Sequence, residues 1–224
     1  HAEQSIRVVE VLENSGQGLN LTREVLDGIL KHSKGYGKIL PEDPEELAAT
    51  FEGRVVRIAE FMAYLNHDLD DAIRSGIVTA AQVPDSCTRR LGATHSERAT
   101  TMIKDLISTA RPEGDALRLA LSPDVHAAML ELRQFMYEKV YRSEQVHRDF
   151  EKSKKILSEL FAFFLENDLL LRRGLADLQM DGCIADGQPR KRLVCDFIAS
   201  MTDRYAMNLY TRLFFPSPFQ EKIN

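Results

Sequence analysis

Apolar side chains recur at intervals of three and four along nearly the whole chain, as in Ala99, Met102, Ile103, Leu106, Ile107 and Ala110. No segment alternates with the period of two that a half-buried strand requires. A chain patterned this way buries one stripe of each helix, so the expected fold class is all-α. The prolines punctuate that pattern where helices begin or end: Pro41, Pro44, Pro84, Pro112, Pro123, Pro189, Pro216 and Pro218. Ser122-Pro123-Asp124 reads as an N-cap, an N1 proline and a first-turn acid. Asp43-Pro44-Glu45-Glu46 and Thr94-His95-Ser96-Glu97 resemble capping boxes. Helices are therefore expected near 2–14, 22–33, 44–74, 95–110, 123–142, 146–167 and 190–213, with irregular structure over 169–188 around Gly182 and Gly187. The connection "GYGKILPED", Gly35 to Asp43, with its two glycines and a lysine, is read as a connecting loop with the composition of a lid.

With 224 residues the chain can bury a substantial core as one large domain or two small ones. A net charge of −5 offers no strongly basic face, which argues against nucleic acid as the default partner. Only two short basic runs, Lys152 to Lys155 and Pro189 to Arg192, support a nucleic-acid contact, and such runs usually belong to solvated surface. Cys87, Cys183 and Cys195 have no CxxC spacing and cannot all pair, as expected of a reducing, cytoplasmic setting and not of a zinc module. The longest apolar run, "LFAFFL", is too short to span a bilayer, so no membrane partner is expected.

The stretch "AEFMAYLNHDLDDA", Ala59 to Ala72, carries the densest set of reactive side chains. At about 100° per residue, Glu60, Tyr64, His67, Asp68 and Asp71 share one quadrant of the long helix, while Val55, Ile58, Ala59, Met62, Leu65, Leu69 and Ile73 take the other side. One reading is an amphipathic helix whose polar face meets water. Another is a metal site drawn from His1, His32, Glu60 and His67-Asp68, since borderline divalent ions accept imidazole and carboxylate together. No HExxH, Gly-rich phosphate loop or GxSxG elbow accompanies it.

Four ordered blocks bring in a family. "HAEQSIRVVEVLE" at His1, "GLNLTREVLDGILKHS" at Gly18, "FEGRVVRIAEFMAYLNHDLDDAIRSGI" at Phe51 and "VCDFIASMTDRYAMNLYTRLF" at Val194 together resemble the deoxyguanosinetriphosphate triphosphohydrolase family of the HD superfamily. The resemblance runs from His1 to about Phe215 and is weak between Arg142 and Pro189. It implies an HD-domain-like helical bundle over 1–108 with a C-terminal helical associated region over 109–224. It also implies hydrolysis of a dNTP substrate to deoxynucleoside and inorganic triphosphate by water attacking the α-phosphorus, a divalent metal (Mg²⁺ or Mn²⁺) as cofactor, and a homo-oligomer.

The resemblance also redistributes roles within the stripe. The family's metal-binding His and His-Asp pair lie upstream of the block that starts at His1, so residues before His1 are expected in the parent protein. Glu60 stands where the family has its distant metal aspartate, one methylene longer. Tyr64 matches the tyrosine packed against the deoxyribose, Asp68 the acid that accepts the sugar 3′-hydroxyl, and His1 the active-site histidine near the α-phosphate. His67 receives no role, and Asp70, Asp71 and Arg74 are expected in ion pairs. The competing expectation is a non-catalytic helical module that binds a nucleotide or partner and has lost the metal site.

Overall fold

Side-chain oxygens from Thr and Ser start the principal helices. Thr22 accepts from the Val25 amide at the head of α3 (Arg23–Lys31), Thr50 from Gly53 at α4 (Phe51–Arg74), and Thr94 from Glu97 at α6 (His95–Thr109). Ser122 accepts from Val125 at α7 (Pro123–Met136), and Thr202 from Tyr205 at α11 (Asp203–Phe214). Each cap satisfies an amide that the first turn leaves without a partner and stabilises its helix by about 1 kcal/mol. These contacts come from a computed structural model, which describes residues 1–33, 37–39, 41, 43–114, 116–180, 182 and 188–216. The remaining elements are α1 (Ala2–Arg7), α2 (Glu13–Gly16), α5 (Asp85–Leu91), α8 (Glu144–Glu166), α9 (Asp168–Asp177) and α10 (Arg190–Ala199). A short antiparallel ribbon pairs β1 (Arg111–Glu113) with β2 (Ala116–Arg118). The fold is all-α, as the periodicity requires.

Several boundaries differ from the expected ones, each for a local reason. Asp43 caps only a 3₁₀ turn, Pro44–Glu46, and the long helix starts afresh at Thr50. The segment expected to be irregular over 169–188 instead holds α9, while Gly187 and Cys183 lie outside the described residues. The single helix expected over 190–213 is two, α10 and α11, because Thr202 interrupts it as a new N-cap. Helix α7 runs into a π-helical turn, Tyr137–Tyr141, and α1 into another, Val8–Leu12. Beyond the latter, Asn14 and Ser15 adopt left-handed conformations, φ 54° each, that end regular helix. Within "GYGKILPED", residues 35, 36, 40 and 42 lie outside the described residues, while Ile39 is buried and the carbonyls of Gly37 and Lys38 accept from Arg133 and Arg57.

The chain divides into two compact units, His1–Ile6 with Leu21–His147 and Arg7–Asn20 with Arg148–Asn224. The core of the first is built on α4, whose Ile58, Phe61, Met62, Leu65, Leu69 and Ala72 are buried with Met102 of α6 and Met129, Leu132 and Met136 of α7. Helices α3 and α4 cross where two glycines meet: a Cβ placed on Gly53 would lie 2.7 Å from the Ala48 Cβ and 3.2 Å from the Gly28 Cα. Val55 and Ala59, both expected on the packing side of α4, are exposed, as is Val56, because the first core reaches α4 along a narrower stripe through Ile58, Met62, Leu65 and Leu69. The core of the second unit gathers Leu12, Leu160, Phe164, Leu171, Leu175, Val194 and Phe197, with Phe164 edge-on to Phe197 at 5.0 Å. Its buried Asp196 is satisfied by Arg7 at 2.7 and 2.5 Å and by Gln188 at 3.0 Å. Among the described residues no helix is long and apolar enough to cross a membrane.

Candidate functional site

Three of the four candidate side chains lie at i, i+4 and i+8 on α4, separated by about 6 Å of rise per step. Glu60 is exposed, whereas Tyr64 and Asp68 are half-buried at the border between the solvated face and the core. Tyr64 stands edge-on to Phe61, ring centroids 5.1 Å apart, which gives its phenol ring a supported orientation. Glu60 and Tyr64 border a hollow of 20 Å³ together with His32, Lys38 and Arg57. This volume holds little more than one water. The buried Arg57 forms a wall of that hollow by donating to the backbone carbonyls of Lys31 at 3.3 Å, Glu46 at 3.4 Å and Lys38 at 3.2 Å.

Asp68 has a partner that sequence spacing did not supply. The Tyr141 hydroxyl donates to Asp68 Oδ2 at 2.6 Å across a separation of 73 residues. Tyr141 ends the π-helical turn after α7, and the wider winding of such a turn is a recurrent feature of functional sites. The only sequence signal for it was an aromatic residue near the end of a predicted helix.

His67, next to Asp68 in sequence, points elsewhere. Its ring lies 4.7 Å from that of His95 at the first turn of α6, and His95 Nε2 is buried without a hydrogen-bond partner among the described residues. The adjoining acids form the ion pairs expected of them, Asp70 with Arg98 at 2.6 Å and Asp71 with Arg74. Arg98 is itself buried and also donates to Asn66 Oδ1 and to the Ala93 carbonyl, both at 2.9 Å. Asn66 and Asp70 flank Asp68, so this network fixes the turn of α4 that carries it.

His1 is exposed at the head of α1, where its carbonyl accepts from the Ser5 amide at 2.9 Å, and its ring is edge-on to His32 at 5.2 Å. His32 also lines the hollow beside Glu60 and Tyr64. The structure thus brings His1, His32, Glu60 and Tyr64 into one neighbourhood and leaves Asp68 one turn further along, tied to Tyr141. Among the described residues no group of three or more His, Cys, Asp or Glu side chains is placed to hold a metal ion. Glu60 is a single carboxylate, so the metal implied by the resemblance does not fit these residues alone. Cysteine chemistry has little scope at Cys87, whose thiol is pushed up to about 12 by burial, with the negative charge of Glu131 adding to the effect.

Residues 119–212 match the family model described as the phosphohydrolase-associated domain. Relatives from several bacteria carry the name deoxyguanosinetriphosphate triphosphohydrolase-like protein. The one from Desulfatibacillum aliphaticivorans is 50% identical over 97% of this chain and 62% of its own length. The one from Caldanaerobacter subterraneus subsp. tengcongensis is 42% identical over 99% of this chain and 60% of its own. The one from Wolinella succinogenes is 32% identical over 95% of this chain and 68% of its own. The chain spans about three-fifths of the first two relatives. An alignment running almost end to end on this side, at identities up to 50%, extends well beyond the associated domain to the α4 stripe itself. The chain belongs to the deoxyguanosinetriphosphate triphosphohydrolase-like family.

Proposed function

We propose that this chain is the sugar-recognising part of a divalent-metal-dependent hydrolase that converts a deoxynucleoside triphosphate to deoxynucleoside and inorganic triphosphate. The observation that carries the reading is the Glu60–Tyr64–Asp68 row on α4, with the Asp68 carboxylate held by the Tyr141 hydroxyl, in a member of this family. An ionised carboxylate has two oxygens that only accept. With Oδ2 engaged by Tyr141, Oδ1 is available to accept from the 3′-hydroxyl of a sugar. The Tyr64 ring, braced by Phe61, presents a rigid surface to the same sugar. Such crowding disfavours a ribose 2′-hydroxyl, which would meet an aromatic face and lose its water. His1, beside His32, is proposed to donate a hydrogen bond or proton near the α-phosphate.

Glu60 is assigned one ligand position of the Mg²⁺ or Mn²⁺ ion. The other ligands are proposed to come from residues outside those described. The active assembly is proposed to be a cytoplasmic homo-oligomer. The test is release of inorganic triphosphate from dGTP and the other dNTPs by the chain in a polypeptide of its relatives' length, with Mg²⁺ or Mn²⁺. Release is expected there, with little or none from the 224-residue chain alone. Tyr64→Ala is expected to narrow the preference for dGTP over GTP, whereas Asp68→Asn, which weakens a contact to the 3′-hydroxyl that both nucleotides carry, is expected to slow triphosphate release without narrowing that preference. Absence of triphosphate release from the longer polypeptide refutes the proposal. A non-catalytic nucleotide-binding module is the second reading, favoured by the lack of a closed metal-ligand group among the described residues. Retained nucleotide binding without turnover would select it.

A further inference from the structure

Among the described residues a single side-chain nitrogen or oxygen is both buried and without a hydrogen-bond partner: Nε2 of His95. Native folds rarely leave such a group alone, and an ion or a water is the usual reason for one that looks stranded. The ring of His67 lies beside it, with centroids 4.7 Å apart and planes tilted by 52°. Neither ring joins a hydrogen bond or ion pair among the described residues. The acids around them are already engaged, Asp70 with Arg98, Asp71 with Arg74, and Glu97 with the amides of Ala93 and Thr94.

Buried contacts set the spacing of the two rings. His67 belongs to α4 and His95 opens α6 after its N-cap Thr94. Close by in sequence, Asn66 of α4 and Arg98 of α6 are both buried and joined, Arg98 Nε donating to Asn66 Oδ1 at 2.9 Å. Two packed helices therefore hold one imidazole each at a fixed separation. With metal–nitrogen bonds of about 2.0–2.1 Å, two imidazoles on one ion at a right to tetrahedral angle have centroids about 5 Å apart. The observed 4.7 Å matches that spacing. His67 is exposed, so an ion can enter from solvent and water can fill its remaining positions. The exposed Asp71 carboxylate, one turn beyond His67 on the same face of α4, offsets part of the added charge.

We propose that His67 and His95 form a two-imidazole site for a borderline divalent transition-metal ion, of the Zn²⁺ or Ni²⁺ class, that clamps α4 to α6. Imidazole nitrogen suits such ions, whereas Mg²⁺ and Mn²⁺ select oxygen ligands. The site is separate from the position assigned to Glu60, which lies about 10 Å back along α4. It does not depend on hydrolysis of dNTPs by the α4 row.

The experiment is thermal unfolding of the 224-residue chain, stripped with EDTA, dialysed at about pH 7.5 so that free imidazole is neutral, and then given Zn²⁺, Ni²⁺ or Mg²⁺. Zn²⁺ and Ni²⁺ are expected to raise the melting temperature with concentration, and Mg²⁺ is not. His67→Ala, at an exposed position, is expected to keep the fold by circular dichroism and to lose that rise, as is His95→Gln. Calorimetric titration with Ni²⁺ is expected to show affinity weakened by about tenfold or more in either variant. His32→Ala, which removes the ring facing His1, and Cys195→Ser, which removes an exposed thiol, are expected to keep the rise. A rise that survives His67→Ala, an equal rise with Mg²⁺, or no rise with either transition ion would each overturn the proposal, the last leaving a bridging water as the partner of His95.

Discussion

Replacing Arg98 by methionine tests the network that fixes the Asp68 turn. The guanidinium makes three side-chain bonds: to Asp70 at 2.6 Å, to Asn66 at 2.9 Å and to the Ala93 carbonyl at 2.9 Å. Methionine keeps most of the buried stem volume but removes all three donors. The Asp70 bond is discounted, because that carboxylate is 36% exposed and regains water, which leaves about 0.5–1 kcal/mol. Asn66 is 1% exposed, so its Oδ1 is stranded in the core at about 1–3 kcal/mol. The Ala93 carbonyl lies in the turn before α6 and adds about 0.5–1 kcal/mol. Loss of the desolvation cost of the buried arginine offsets part of this sum. The expected net loss is about 2–4 kcal/mol, read as a shift of the urea midpoint followed by circular dichroism at constant slope. Asp70→Asn, in the same assay, is expected to cost less than about 1 kcal/mol. A loss for Arg98→Met no larger than that for Asp70→Asn would refute the reasoning, since it would mean that the stranded Asn66 oxygen carries no penalty.

Three further outcomes follow from local geometry. Gly53→Ala puts a methyl 2.7 Å from the Ala48 Cβ and 3.2 Å from the Gly28 Cα, so it is expected to destabilise by about 1–3 kcal/mol in thermal unfolding despite alanine's better helix propensity. Tyr141→Phe and Asp68→Asn, combined in a double-mutant cycle, are expected to show a coupling of about 1 kcal/mol, and a coupling near zero would mean the 2.6 Å contact is not kept in solution. The amides of Thr94 and Ala93 hold the Glu97 carboxyl below its ordinary 4.5. Its folded value is therefore the lower one, so its stabilisation is full above about pH 4.5 and is lost as pH falls through the folded value. The difference in melting temperature between the wild type and Glu97→Gln should shrink in that window.

Fold class was legible because burial of one helical stripe is a periodic constraint, and Ile58, Met62, Leu65 and Leu69 sit in the core that the pattern requires, with Ile73 packed at its edge. Caps were legible where the oxygen lies three residues from the amide it accepts, as at Thr94 and Ser122. They misled where a second candidate followed closely: Asp43 and Thr50 both look like starts, and only Thr50 begins the long helix. The ribbon Arg111–Glu113 with Ala116–Arg118 is too short to establish an alternation. Helix α9 was obscured because the loop signal of Gly182 and Gly187 was extended back over the whole of 169–188, although the helix ends at Asp177 and its own Gly174 sits where a Cβ would meet the Phe197 ring at 2.3 Å. There the absence of a side chain serves packing.

The candidate site divides along the same line. Spacing within α4 suffices to align Glu60, Tyr64 and Asp68, because a single helix fixes their relative positions by itself. It also places His67 beside Asp68 in sequence, which makes the pair look like a ligand set. One residue along a helix is a rotation of about 100°, and that rotation sends His67 to His95 while Asp68 meets Tyr141. The partners on either side, His95 at the head of α6 and Tyr141 at the end of the π-helical turn, depend on how three helices pack and carry no local signature.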